Sequence, residues 1–357
     1  MDLSARLIAL YLPQFHPIPE NDEWWGCGFT EWTNTAKARP LFKGHYQPHI
    51  PGDLGFYDLR LPESRQRQAD IARSYGIEGF CYYHYWFGGR RILERPFQEV
   101  LSSSKPQFPF CVCWANETWT GIWHGSPNRV LIEQTYPGVA DHQAHFDALL
   151  PAFQDSRYLC VNGKPIFVIY KPEQIPNVVD TLNLWRKLAT NSGLVGLYIV
   201  GMNNRLSWNP VDNGFDAKIN LPSIRQEWIS RRSPMKWLRW KYNKYQSLPN
   251  MLPFKSLFEE EVGRLETLYK SYPCIVHAWD NTPRSGSNGV VLTGAHPEEF
   301  RKLVRLVLNR TRSVEPDQRL VFLKSWNEWA EGNHLEPDLK FGFGFLEVIK
   351  EELARLS

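Results

Sequence analysis

Short apolar runs recur along the chain, and the stretch after each one carries a helical period. The runs are Arg6–Leu12, Gly79–Tyr85, Phe110–Ala115, Pro165–Tyr170, Leu197–Gly201, Ala217–Leu221, Cys274–Trp279 and Leu320–Trp326. Alternation of strand-like and helix-like segments predicts a parallel sheet. After Pro297, residues Phe300, Leu303, Val304, Val307 and Leu308 fall at i, i+3, i+4, i+7 and i+8, the stripe of a core-facing helix. Pro62-Glu63 and Pro297-Glu298 read as helix starts, with proline in the first turn and an acid behind it. Eight βα units predict an α/β fold, a (β/α)8 TIM barrel. The expected organisation is one domain over residues 1–357, with long loops on the C-terminal face and an insertion at about 222–270 between strands six and seven. A doubly wound sheet is the alternative, but neither G-x-G-x-x-G nor a P-loop supports it.

The residues that close these runs are rich in aromatic and polar types: Tyr11–His16, Tyr82–Phe87, Trp114–Glu117, Trp279–Asn281 and Trp326–Trp329. In a barrel the C-terminal strand ends share the face on which active sites form, so five such clusters predict a lined pocket. The segment from Glu20 to Pro62, with Trp24, Trp25, Glu31, Trp32, His45 and His49, reads as an ordered but irregular loop over the barrel mouth. Between strands six and seven, Arg231, Arg232, Lys236, Arg239, Lys241 and Lys244 interleave with Trp228, Trp237, Trp240 and Tyr242. That segment is either a solvated helical face or a basic-aromatic surface for weak association with an anionic glycan or a membrane face.

Composition adds two points. In 357 residues there are 15 Trp, 15 Tyr and 20 Phe, types that stack on sugar rings while offering a polar handle, though core filling also uses them. A net charge of +3 gives no argument for nucleic acid. Cys81, Cys111, Cys113 and Cys274 fall in apolar runs as small hydrophobes, and neither disulfides nor a zinc knuckle is implied. The run Leu7–Leu12 is too short for a signal sequence and no stretch reaches membrane-spanning length, so a cytoplasmic protein is expected.

Breaking a glycosidic bond requires one carboxylic acid for the leaving oxygen and a second carboxylate as nucleophile or base. Glu328 and Glu331, three residues apart after the last strand, supply two, and a helical turn would put both on one side. Among Trp326, Trp329 and Leu335 they would repel each other, raising one pKa while its partner stays ionised. A solvated helix start is the bland alternative. There is no G-x-S-x-G elbow and no activated cysteine, and His45 with His49 in a proline-rich loop is a poor metal pair, so neither metal nor cofactor is expected.

Taken together, Tyr11-Leu12-Pro13-Gln14-Phe15-His16, Trp25-Gly26-x-Gly28-Phe29-Thr30-Glu31-Trp32, Gly44-His45-Tyr46-Gln47-Pro48, Gly79–Phe87, Trp114–Glu117, Trp279–Asn281 and Trp326-Asn327-Glu328-Trp329-Ala330-Glu331-Gly332 resemble the WbsX-like proteins, in order, from about residue 6 to 347. These proteins belong to bacterial O-antigen and capsule clusters and are similar to the family 99 glycoside hydrolases, metal-independent retaining endo-α-mannosidases on a TIM barrel. The resemblance implies that Glu328 is a base on the sugar 2-hydroxyl, giving a 1,2-anhydro sugar, and that Glu331 is the acid and later the base on water. It does not carry α-mannoside specificity. The candidate substrate contacts are Tyr11, His16, Glu31, Trp32, His49, Tyr83, His84, Trp86, Trp114, Asn116, Glu117, Tyr170, Trp279, Asp280, Trp326, Asn327 and His334. The expected activity is a retaining glycoside hydrolase acting on an oligo- or polysaccharide of the bacterial surface. A nucleotide-sugar glycosyltransferase, which lacks a D-x-D motif here, and a non-catalytic glycan-binding protein are the competitors.

Overall fold

The computed structural model describes residues 5–121, 126–205, 207–222, 224, 245–257 and 270–356. Eight parallel strands form its centre: β1 (Arg6–Tyr11), β2 (Gly79–Phe87), β3 (Phe110–Trp114), β4 (Lys164–Ile169), β5 (Tyr198–Asn203), β6 (Ala217–Asn220), β7 (Ser271–Val276) and β8 (Leu320–Lys324). Each pairs with the next, and β8 pairs with β1, so the sheet closes. All eight expected strands are present in order, and the fold is a TIM barrel. Strands covered on both faces must be apolar along their whole length, and β1, β2 and β3 are buried at every residue.

The register divides each strand into an inner and an outer set. Ile8 pairs with Phe322, Leu10 with Cys81, Tyr83 with Cys113, Cys113 with Val168, Val200 with Ala217, Ile219 with Tyr272 and Cys274 with Phe322. Paired residues share a face, so this circuit lies inside the barrel and the alternate positions face the helices. Four inward thiols, Cys81, Cys111, Cys113 and Cys274, are fully buried, and Cys113 Sγ lies 3.7 Å from Met202 Sδ. These cysteines are small core residues beneath the barrel mouth. At the opposite end Arg6 ties the barrel bottom, binding Glu78 at 2.9 Å and Asp317 at 2.8 Å.

Helices α3 (Pro62–Ser74) and α8 (Pro297–Thr311) start at the two expected prolines, and the whole stripe from Phe300 to Leu308 is buried. The other helices of the ring are α4 (Arg95–Ser103), α5 (Val139–Phe153), α6 (Val178–Asn191) and α9 (Gly344–Leu356). The segment expected to be irregular contains two helices of seven residues each, α1 (Pro19–Trp25) and α2 (Glu31–Lys37). They are too short to show a period. Pro19 opens the first, and the Thr30 N–H donating to Thr33 Oγ1 at 3.1 Å tightens the start of the second. A four-residue helix α7 (Thr282–Ser285) follows β7. Residues 225–244, and with them the basic-aromatic run Arg231–Lys244, lie outside the described residues. No helix among the described residues is long and apolar enough to cross a membrane.

Candidate active site

A cavity of about 530 Å³ opens at the C-terminal end of the barrel. Inward residues at the strand ends form its walls: Leu12, Tyr83, Tyr85, Ala115, Tyr170, Asn204, Leu221 and Lys324. Residues of the segments that connect the strands, α1, α2 and α7 included, complete it, among them Trp25, Phe29, Glu31, Glu117, Trp119, Lys171, Trp279 and Arg284. Glu328 and Glu331 lie in this wall.

The turn after β8 sets the pair. Residues Trp329–Glu331 make one turn of 3-10 helix with Glu328 as its cap, so both carboxyls come to the same side, as their spacing requires. Gly332 ends the turn at φ +53°, and a Cβ there would meet Asp280 Cβ at 2.9 Å. The position therefore demands glycine twice over, for conformation and for space. Asn327 pins the strand end: its side chain accepts from Leu12 N–H at 2.7 Å and donates to Leu12 O at 3.0 Å. Beneath, Glu336 accepts from Trp329 Nε1 at 2.6 Å, Gln68 Nε2 at 2.6 Å and Tyr57 hydroxyl at 2.8 Å. Burial raises its pKa to about 7, and these donors moderate the rise.

Two cations straddle the acids. Arg284 Nη1 is 2.8 Å from Glu331 Oε1 and 3.9 Å from Glu328 Oε2. Lys324 Nζ is 3.4 Å from Glu328 Oε1 and 3.8 Å from Glu331 Oε2. The second Arg284 nitrogen binds Glu31 Oε1 at 2.6 Å, and the same oxygen accepts Ala330 N–H at 3.1 Å. Burial pushes every carboxyl here towards its neutral form. For Glu328, Lys324 and then Arg284 outweigh burial and hold it below the usual carboxylate range. For Glu331, burial and then the Glu328 charge dominate, and its pKa rises to about 8 in spite of both cations. Near neutral pH the pair is thus one carboxylate and one carboxylic acid.

Of the expected contacts, Glu31, Tyr83, Glu117, Tyr170 and Trp279 line the cavity with the two acids. The others do not. Tyr11 points outward to Gln68, His84 meets His145 at 2.8 Å, and Trp86 Nε1 donates to Asp141 at 3.1 Å. Trp114 packs against Trp185 and His145, and Trp326 against Phe80, all on the outer face of the barrel. His16 binds Pro13 O, Trp32 donates to Tyr57 O, and Asn116 donates to Tyr136 hydroxyl and Lys171 O. These residues, like Asn327, hold the walls rather than face the cavity. Asp280 is an anchor: it accepts from His45 at 2.6 Å, Gln47 at 2.7 Å and the Thr282 hydroxyl at 2.6 Å, which fixes the start of α7 and hence Arg284. Arg284 and Lys324 were not anticipated. Lys324 sits at an inward position of an otherwise apolar strand, which is a signal in itself, whereas Arg284 has none until α7 is known.

One grouping of metal-ligand type exists among the described residues, His49, His334 and Asp338. His334 Nδ1 faces Glu336 O at 3.0 Å and must donate to it, which leaves Nε2 to accept from His49 Nδ1–H at 2.8 Å. Asp338 accepts the N–H groups of Lys340 and Phe341 at 3.0 and 2.6 Å. The grouping satisfies its own hydrogen bonds as a clamp between the loop after α2 and the final turn.

The family model described as glycosyltransferase WbsX matches residues 7–349. This chain belongs to the WbsX family. Two proteins named WxcX, from Xanthomonas campestris pv. campestris strains ATCC 33913 and B100, are 38% and 37% identical to it over 355 residues, 99% of the chain. The chain spans 50% of the length of each. Among solved structures, a glycoside hydrolase-like protein superposes with a TM-score of 0.61 at 16% identity, covering 98% of this chain and 94% of that one. The GH99 endo-α-mannosidase of Bacteroides thetaiotaomicron, in complex with bis-tris-propane, superposes with a TM-score of 0.56 at 14% identity, covering 100% and 97%. At such identities these structural likenesses establish the barrel, whereas the chemistry has to come from the site.

Proposed function

We propose that this WbsX-family chain is a retaining glycoside hydrolase that acts on a bacterial surface glycan through Glu328 and Glu331. The observation that carries the reading is two adjacent buried acids at the barrel mouth, held by the same two cations, in surroundings that push the pKa of Glu328 down and that of Glu331 up. An ordinary retaining displacement uses carboxyls about 5–5.5 Å apart that flank the scissile bond. Here both acids contact the same two cations and hydrogen-bond each other, an arrangement suited to atoms on neighbouring ring carbons. Glu328 takes the proton of the 2-hydroxyl while O2 closes on C1. The bond from C1 to the leaving oxygen breaks, and Glu331 gives that oxygen its proton. In the second step Glu331, now a carboxylate, takes a proton from water as the water oxygen attacks C1, and Glu328 returns its proton to O2. Both protons are restored and the configuration at C1 is retained.

The aromatic walls, Trp25, Phe29, Tyr85, Trp119, Tyr170 and Trp279, suit stacking on pyranose rings. The family's description names a glycosyltransferase, and transfer from a nucleotide sugar would require cations for a diphosphate. Arg284 and Lys324 are both engaged by carboxylates, and Lys171 lies 3.7 Å from Glu117, which weighs against that use. The test is to incubate the purified protein with isolated O-antigen and capsular repeat oligosaccharides, detecting new reducing ends and following the anomer first formed by NMR. Release of the α-anomer from an α-linkage supports the reading; release of the inverted anomer, or turnover only with nucleotide sugars, overturns it.

A further inference from the structure

The catalytic pair does not stand alone: three buried carboxyls, Glu31, Glu328 and Glu331, share two partly buried cations, Arg284 and Lys324. These residues come from α2, α7, β8 and the turn after it, so the fold, not local sequence, assembles the group. We propose that Glu31 is a positioning residue that claims the charge of Arg284 and, through it, keeps the proton on Glu331. The inference rests on the reading of Glu331 as the acid.

The argument is one of charge balance. A guanidinium 2.8 Å from a carboxyl ordinarily makes that carboxyl a poor acid catalyst, because the neighbouring positive charge drives off its proton. Among carboxyls as buried as these, net charge is costly, so the number of ionised acids should match the number of cations. Two cations balance two carboxylates, and the third carboxyl keeps its proton. Glu328 has Lys324 at 3.4 Å as its own partner. Burial raises the pKa of Glu31 above its ordinary value, and against that rise one of its oxygens accepts two N–H bonds, from Arg284 at 2.6 Å and from the Ala330 backbone at 3.1 Å, which favour its ionised form. Glu331 is left with the proton, and its raised pKa agrees.

The other groups facing Glu331 do not alter this count. Tyr83, Tyr85 and Tyr170 stay neutral, their pKa values raised by burial. Glu117 is balanced by Lys171. Asp280 turns its carboxylate towards His45, Gln47 and Thr282 and offers only its backbone N–H to Glu331 O, at 2.7 Å. If Glu31 loses its charge, Arg284 and Lys324 face two carboxylates, and Glu331 ionises.

The proton on Glu331 can be read without turnover, as a carboxylic C=O band in pH-difference infrared spectra that is absent in Glu331→Gln. In Glu31→Gln that band should titrate at least one pH unit lower than in the unaltered protein. Glu31→Asp, which restores the charge, should bring the midpoint part of the way back. Arg284→Met changes the balance the other way and should move the midpoint up, which keeps the test intact should Glu31→Gln fail to fold. With a substrate that has a poor leaving group, Glu31→Gln should also lower kcat/KM at pH 7.5 by about threefold or more, the fall in protonated Glu331 that a shift of one pH unit from about 8 produces, with the loss shrinking towards acidic pH. A merely structural role would lower the rate equally at every pH and leave the midpoint alone, and either result overturns the inference. If instead Glu331→Gln hydrolyses such substrates as well as the unaltered protein, the failure lies in the assignment of Glu331 itself.

Discussion

Replacing Glu331 by Gln separates general acid catalysis from everything else the site does. The side chain keeps its shape and can still take a hydrogen bond from Arg284, but it has no proton to give. An ordinary glutamic acid would be protonated in only about three molecules in a thousand at pH 7, whereas one with a pKa of about 8 is protonated in roughly nine of ten. That proton is worth about 10²–10⁴-fold in rate where the leaving alcohol is a poor one. For an aryl glycoside whose leaving phenol is itself acidic, little proton transfer is needed, and the loss should fall below about tenfold. The assay is kcat/KM for a series of aryl and alkyl glycosides in both proteins, with log rate plotted against leaving-group pKa. The slope should be shallow for the unaltered protein and steep for Glu331→Gln. Parallel lines would refute the assignment, because a variant equally impaired on every leaving group has lost binding or architecture rather than an acid.

Glu328→Gln should abolish turnover of every substrate in that series, and 2-deoxy or 2-O-methyl substrates should be inert with the unaltered protein; a glycosyl group trapped covalently on Glu328, detected by peptide mass spectrometry, would replace the anhydro-sugar route with direct displacement. The rate should be bell-shaped in pH: the alkaline limb belongs to Glu331 at about 8, and Lys324→Met, which removes a cation that favours both carboxylates, should move both limbs to higher pH. Gly332→Ala forces a Cβ against Asp280 at positive φ and should cost about 1–3 kcal/mol in thermal unfolding while lowering activity through displacement of the turn. Activity should survive exhaustive chelation; a loss restored by Zn²⁺ would instead assign a metal to His49, His334 and Asp338.

The barrel was legible because its signal is long-range and redundant. Eight apolar runs, each buried on both faces, leave few other folds, and errors of two or three residues at strand ends, as at β7, do not alter the closure. The placing of the acid pair was legible because a spacing of three in one tight turn fixes the side on which both acids fall. The lining was harder to read, and the reason is a period of two. At the end of β2, Tyr83 and Tyr85 face the cavity while His84 and Trp86 face α5, although all four are of types that bind sugars. Composition at a strand end cannot separate these sets; register can, and register follows from a single inward residue carried around the circuit of paired strands. Lys324 supplies such a mark. A charged residue ending the run Leu320–Lys324 can be buried only where carboxylates await it, and that requirement turns it inward towards Glu328 and Glu331. From that one assignment the pairing carries inwardness to Leu10 and Leu12 in β1 and beyond, to Tyr83 and Tyr85 in β2, and to Ala115 beyond β3. Arg284 could not be reached in this way. Its place depends on α7, whose start depends on Asp280 being held by His45 and Gln47 from a loop more than 200 residues earlier, a contact that exists only once the barrel has closed.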